Sequence, residues 1–96
     1  MPGIVRLGDI CSGHGCWPPR ANIQGSSNVF CNGQPVHRVG DAWAAHTCPA
    51  IPETHAGSAA AGSGSIFVNG RPVCRIGDAV DCGSIMVTGS ENVFAN

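Results

Sequence analysis

Charge is what this sequence has least of. Only 11% of its 96 residues are Asp, Glu, Lys or Arg, against roughly a quarter in an ordinary soluble domain. Lysine is absent, so the five basic residues are all arginines, and the formal net charge is -1. Such a chain has no basic footprint for nucleic acid or for an acidic membrane surface. A surface so poor in charge points to part of it being covered by another molecule. Long apolar runs are missing too, which excludes a helical membrane span. The N-terminus lacks the basic-then-apolar order of a signal peptide, so the expectation is synthesis in the cytoplasm. No segment holds a 3.6-residue period over ten residues, and only Asp41 to His46 has the makings of a single helical turn. Glutamate is reduced to Glu53 and Glu91. Neither stands in the His-Glu-x-x-His pattern of a zinc hydrolase.

What the chain does have is Gly (14), Pro (7) and Cys (6). The glycines and prolines are placed by a repeat rather than by a low-complexity tract, so the chain reads as folded. Gly25 to Asp41 returns as Gly62 to Asp78, each copy 17 residues long and offset by 37. A third copy is divided between the ends. Arg6-Leu-Gly-Asp9 matches Arg38-Val-Gly-Asp41, and Gly89 to Asn96 matches Gly25 to Asn32. Joined head to tail, the termini rebuild a full unit, which predicts three quasi-equivalent units in a closed ring.

Within a unit, Asn32-Gly33 and Asn69-Gly70 lie between short apolar runs and signal a type I′ hairpin. Pro35 places the returning strand at an edge or start. Alternation in Val36-His37-Arg38-Val39 turns Val36 and Arg38 one way and His37 and Val39 the other. His37 occupies a position filled by Val5 and Cys74 in the other copies, so it reads as a packing or surface residue. Arg6, Arg38 and Arg75 stand three residues before Asp9, Asp41 and Asp78, which reads as repeated Arg–Asp pairs or Arg-to-carbonyl bonds closing the strand end. Gly8, Gly40 and Gly77 answer a backbone need. Phe30, Phe67 and Phe94 are equivalent and are expected to form a core triad on the pseudo-threefold axis. Trp17 and Trp43 are expected to plug the core. The fold class is mainly β, built of short strands and turns.

Three unequal loops, 10–24, 42–61 and 79–88, separate the units and converge at one end of such a ring. They carry the reactive side chains: Cys11, His14 and Cys16; His46, Cys48 and His55; and Cys82. Zinc takes four N or S ligands in a tetrahedron, so a site fed by all three loops would pin the convergent end. It would also supply folding energy that a chain this small needs. Scattered surface histidines with small buried cysteines, or two or three disulfides, are the other readings. The missing signal peptide argues against disulfides.

Taken together, Cys11-Ser-Gly-His-Gly-Cys16, Pro18-Pro-Arg20, the two Asn-Gly-x-Pro-Val-x-Arg-x-Gly-Asp units, Asp41-Ala-Trp43, and Asp81-Cys-Gly-Ser84 followed by Gly89 to Phe94 resemble the PAAR-repeat proteins. These form the conical tips of type VI secretion spikes and contractile phage tail spikes. The name-giving Pro-Ala-Ala-Arg is degenerate here, as Pro35-Val-His-Arg38 and Pro72-Val-Cys-Arg75, and Gly3 takes the Pro position in the third copy. The resemblance covers essentially the whole chain, expected as one domain over 1–96 without an effector extension. It implies a small pseudo-threefold cone of β-hairpins closed by the joined terminal strands, with one structural zinc near the vertex (iron is the other candidate). The matching ligand positions are His14, His46, His55 and Cys82. Cys11, Cys16 and Cys48 are in reserve, with Cys48 the first substitute for His46 and a two-His, two-Cys site still open. Pro49 and Pro52 would shape the return between His46 and His55.

The implied function is a non-enzymatic tip that caps a trimeric β-helical spike, one chain per trimer, and helps to puncture a target cell envelope. Its partners would be the valine-glycine-repeat spike or its phage counterpart, an effector carried with it, and the target membrane in passing. The protein would leave the cytoplasm on the spike or become part of a virion. The competing readings are a small zinc-dependent hydrolase and a stand-alone metal or redox module built on the six cysteines.

Overall fold

Asn32 and Asn69 have φ of 54° and 56°, and Gly33 and Gly70 follow with 78° and 77°. This double left-handed turn is the one an Asn-Gly pair adopts at least cost. In the computed structural model, which describes residues 1–51 and 53–96, each pair closes a two-residue hairpin. Strand β1 (Phe30–Cys31) pairs antiparallel with β2 (Gln34–Pro35). The returning strand ends at its proline, which has no amide to donate. The second repeat does the same with two further short strands, Phe67–Val68 and Arg71–Pro72. The third unit is assembled from the termini. Gly3 bridges Phe94 antiparallel, and the amides of Ile4 and Ala95 donate to Val93 and Pro2 at 3.0 and 3.1 Å.

The three units close around an axis. The amide of Val5 donates to the Cys74 carbonyl, that of Cys74 to His37, and that of His37 back to Val5, each at 3.0 Å. These are the three equivalent positions of the repeat, and all are fully buried. One residue earlier, Ile4, Val36 and Val73 turn the other way. With Cys31, Val68 and Ala95 they form one apolar cluster. On the opposite side Val5 and Cys74 join Cys11, Trp43, Ala59, Val80 and Met86 in a second cluster. His37 stacks edge-on against Trp43, with ring centroids 5.3 Å apart. Its Nδ1 donates to the Gln24 carbonyl at 2.7 Å, and burial holds its pKa below the usual value. His37 is therefore a neutral packing residue. Burial, aided by Asp78 and Asp41, pushes the Cys74 thiol up to about 12.

The expected Phe triad is not in the core. Phe30, Phe67 and Phe94 are 58%, 55% and 47% exposed, while the next residues, Cys31, Val68 and Ala95, are buried. Alternation along the strand gives one of two neighbours the inside, and the narrow axis admits the smaller set. The strand-end pairs are as expected. Asp9, Asp41 and Asp78 each accept the amide and two guanidinium N–H groups of Arg6, Arg38 and Arg75 at 2.7–3.1 Å. Gly8, Gly40 and Gly77 supply the positive φ, 89° to 97°, that lets the chain turn back inside each pair. Two pairs reach the neighbouring unit, since Arg6 donates to Asn32 at 3.2 Å and Arg38 to Asn69 at 2.9 Å.

The region 42–61 is neither a loop nor a helical turn. Ala42–Cys48 is the longest strand, β3, and pairs antiparallel with β4, Glu53–Ser58. A register shift between Trp43 and His46 takes up one residue, so that both side chains are buried although they stand three apart. Among the described residues there is no α-helix, and the molecule measures 39 × 24 × 22 Å along its principal axes. Pro49 lies exposed beyond β3; the expectation for Pro52 lies outside the described residues.

Asp41 is the clearest test of the clamp, because it is fully buried and is also paired with Arg71. Asp41→Asn leaves two guanidinium groups uncompensated and is expected to destabilise the fold by about 3–5 kcal/mol. Asp78, with a single arginine, should cost less. Although burial alone would raise them, the arginines hold the carboxyls of Asp9 and Asp41 below their ordinary range. Their stabilisation is therefore complete above about pH 4–5 and is lost as pH falls through the lower folded values. Thermal melts across acid pH should show this loss in the wild type and a smaller one in Asp41→Asn.

Candidate metal centre

The ligand atoms of His14, His46, His55 and Cys82 all lie within 4.8 Å of one another. Three local devices deliver them. His14 and Trp17 exchange amide–carbonyl bonds at 3.0 and 2.8 Å, making a tight turn over Gly15-Cys16. Gly13 precedes it with φ of 71°, and a Cβ there would meet the Trp17 carbonyl at 2.5 Å. His46 and His55 are direct cross-strand partners on β3 and β4, so nine residues of chain bring two imidazoles together. Cys82 sits on the turn closed by Val80 to Ser84, which Asp81 fastens to the end of β4 by accepting both the amide and the hydroxyl of Ser58 at 3.0 Å.

The imidazoles converge through one nitrogen each. Nε2 of His55 lies 3.0 Å from Nε2 of His14 and 2.7 Å from Nε2 of His46. His46 Nδ1 is 2.9 Å from the Pro18 carbonyl. A carbonyl only accepts, so Nδ1 carries the proton and Nε2 keeps its lone pair for the centre, as in ligating histidines. His14 is held toward its neutral form by loss of water around the ring and by His46, His55 and Arg20. Trp17 is not a core plug: half-buried, it stacks on His14 at a centroid distance of 5.1 Å, packs at a tilt against His55 at 4.8 Å and donates to the Glu53 carbonyl at 3.0 Å.

Three imidazole nitrogens and one sulfur match zinc in type and number. A tetrahedron with bonds of about 2.0–2.3 Å has edges of roughly 3.3–3.6 Å. The observed separations, from 2.7 Å to at most 4.8 Å, bracket that size. The residues present therefore fit a four-coordinate metal ion whose every position is taken by protein.

The reserve cysteines take other roles. Cys16 and Cys48 form a disulfide across 32 residues, with Cα atoms 5.2 Å apart. This corrects the reading that set disulfides aside, and Cys48 is no longer a substitute for His46. Each partner lies two residues beyond a histidine of the cluster, so the bridge ties the His14 turn to the His46 strand. Cys11 is a buried free thiol. Burial would raise its pKa, but bonds from the Arg20 and Gly13 amides, the Arg20 guanidinium and Ser84 outweigh it and lower it. Arg20 was not singled out from the sequence as a site residue. Only its place in Pro18-Pro-Arg20 marked it.

The family described as PAAR motif matches residues 13–88, more than three quarters of the chain. The match spans His14, His46, His55 and Cys82 together with both complete repeats. The chain belongs to the PAAR-motif family, the structural spike-tip proteins of type VI secretion systems and phage tails. Comparison with curated proteins returns no match.

Opening the Cys16–Cys48 bridge, with a dithiol reductant or by Cys48→Ser, is expected to cost about 3–4 kcal/mol for a loop of 32 residues. That corresponds to a fall in Tm of more than about 10 °C. An unchanged melt after complete reduction would show that the bridge adds nothing to the fold.

Proposed function

We propose that this protein is a non-enzymatic, metal-stapled tip that caps a trimeric β-helical spike with one chain per trimer and helps the spike to breach a target cell envelope. The observation that carries this reading is the ring of three equivalent, exposed aromatic residues Phe30, Phe67 and Phe94, flanked by the part-exposed Val29, Ile66 and Val93. A free protein gains nothing from displaying the same apolar pair three times around an axis. A partner with true threefold symmetry covers all three at once, each unit meeting one subunit. Family membership supports the same partner class, and the low charge of the chain agrees with a surface covered on assembly.

In this reading His14, His46, His55 and Cys82 hold one zinc ion, which cross-links the three segments between the repeats. The metal supplies coordination bonds that resist local unfolding under load. The chain's own residues orient the donors, through the Pro18 carbonyl on His46 and the cross-strand pairing of His46 with His55. A hydrolytic role is disfavoured by the donor count, because four protein ligands leave no position for water. Glu53 and Glu91 are both exposed and neither is part of the cluster. Made in the cytoplasm, the protein would leave it on the tip of the spike.

Purified protein is expected to carry one zinc per chain, and His55→Ala or Cys82→Ala to lose it. Structural zinc contributes about 10–16 kcal/mol in small peptides, so chelation should lower Tm by well over 10 °C. Retention of stoichiometric zinc by His55→Ala would remove His55 from the ligand set. Mixed with a trimeric spike and weighed by native mass spectrometry, the protein should give one chain per trimer. The triple variant Phe30→Ser, Phe67→Ser, Phe94→Ser should bind at least tenfold more weakly while melting within a few degrees of the wild type. A complex with three chains per trimer would defeat the capping role.

A further inference from the structure

Four of the five arginines are paired with aspartate: Arg6, Arg38, Arg71 and Arg75. Arg20 is the exception. It is only 8% exposed, yet among the described residues its guanidinium has no carboxylate within 4 Å. The nearby Asp81 spends both oxygens on Ser58. The donors of Arg20 go instead to two sulfurs and a carbonyl: Nη1 to Cys11 Sγ at 3.1 Å, Nη2 to Cys82 Sγ at 3.4 Å, and Nε to the Ala44 carbonyl at 2.6 Å. Its Cζ lies 5.5 Å from the centre of the Trp43 ring.

A buried cation with no carboxylate in direct contact is costly, and a neutral thiol is a weak acceptor. The acceptors Arg20 reaches are also placed with purpose. Cys82 is itself one of the four clustered residues. Ala44 stands two residues before His46 on β3, and Cys11 three residues before His14. One side chain therefore touches each of the three segments that converge on the centre.

We infer that Arg20 is the positioning residue of the metal centre: it donates an N–H···S hydrogen bond to the Cys82 sulfur in its metal-bound, anionic form and holds the three ligand-bearing segments in register. The inference rests on reading His14, His46, His55 and Cys82 as the metal site. Metal binding makes the Cys82 sulfur anionic, and a charge-assisted bond to it is stronger and shorter than one to a thiol. The thiolate gives the Arg20 fork an anionic acceptor, while the divalent ion with three imidazoles and one thiolate keeps a net positive charge. Partners of this kind around a ligand typically govern about 10- to 100-fold in metal affinity. The geometry also explains why arginine and not lysine stands here. Three acceptors at the corners of a planar fork match a guanidinium, whereas an ammonium group is a point charge.

The test uses Co2+ in place of zinc, read by its sulfur-to-metal charge-transfer band. Wild type should take up one Co2+ and show the band. In Arg20→Gln the band should move to longer wavelength, because the sulfur loses a hydrogen bond and gives up electron density more readily. Affinity should fall about 10- to 100-fold, and Arg20→Lys should recover part of both. A purely structural Arg20 would lower Tm in both variants and leave the band energy of the loaded protein unmoved; that result overturns the inference. Should Arg20→Gln fail to fold, unmodified protein loaded with NMR-active cadmium decides the matter. The Arg20 Nη2 protons should shift downfield on loading and couple to cadmium across the Cys82 sulfur, and no change on loading overturns the proposal. A wild type that takes up Co2+ without a sulfur band, or takes up none, defeats the metal-site reading itself and is thereby distinguished from failure of the Arg20 role.

Discussion

Three backbone hydrogen bonds, passed from Val5 to Cys74 to His37 and back to Val5, are the constraint on which the rest of the molecule depends. They close a ring in which every unit is both donor and acceptor, so no unit can shift without breaking two contacts. The three residues are fully buried, so a lost partner would leave a buried amide or carbonyl unsatisfied. This accounts for the invariance of repeat length, since an inserted residue would move one member out of the ring. It also accounts for the tolerance of Val, His and Cys at the same position, because the backbone makes the ring and the side chains only fill the space above it.

The ring sets the places of the other repeat features. Residues just before it turn into one apolar cluster, and those in it face the other, which contains Trp43. The Arg–Asp clamps then bind each strand end, and the hydroxyls of Ser26, Ser63 and Ser90 accept the amides that open each hairpin at 2.9–3.2 Å. The three serines are buried and equivalent, so the polar as well as the apolar interior follows the threefold order.

The candidate metal centre departs from that order. A threefold axis offers ligands in threes, and a tetrahedral ion takes four. The unequal segments between the repeats bring together four side chains that could hold one, with one histidine from the first, two from the β3–β4 hairpin and one cysteine from the third. Because these segments lack the ring to hold them, they are tied by other means: the Cys16–Cys48 bridge, the Asp81–Ser58 contacts and the fork of Arg20.

How much of this was legible in the chain differs by element. The Asn-Gly turns and the Arg–Asp pairs were readable because each is settled within four residues of backbone, by local φ and by reach. The four clustered residues were readable only through the resemblance, which carried pattern from related chains. Spacing alone left seven candidates. The Phe triad was misplaced because alternation tells which residues share a face and not which face meets the axis; the ring decides that, and it joins residues from all three units. The β3–β4 hairpin was read as loop because its Ala-rich strand has weak propensity and its register slip breaks the period-two pattern. The disulfide was set aside on compartment grounds, and its two partners stand 32 residues apart in the chain.

The sequence by itself therefore determined the repeat, its turns, its strand-end clamps and the closure of the termini, since each is local or is a copy of the same 17-residue unit. Only the tertiary structure decided which side chains face the axis, which cysteines pair and what Arg20 touches. Those outcomes depend on contacts between segments of unequal length, and no periodicity along the chain encodes the distance across it.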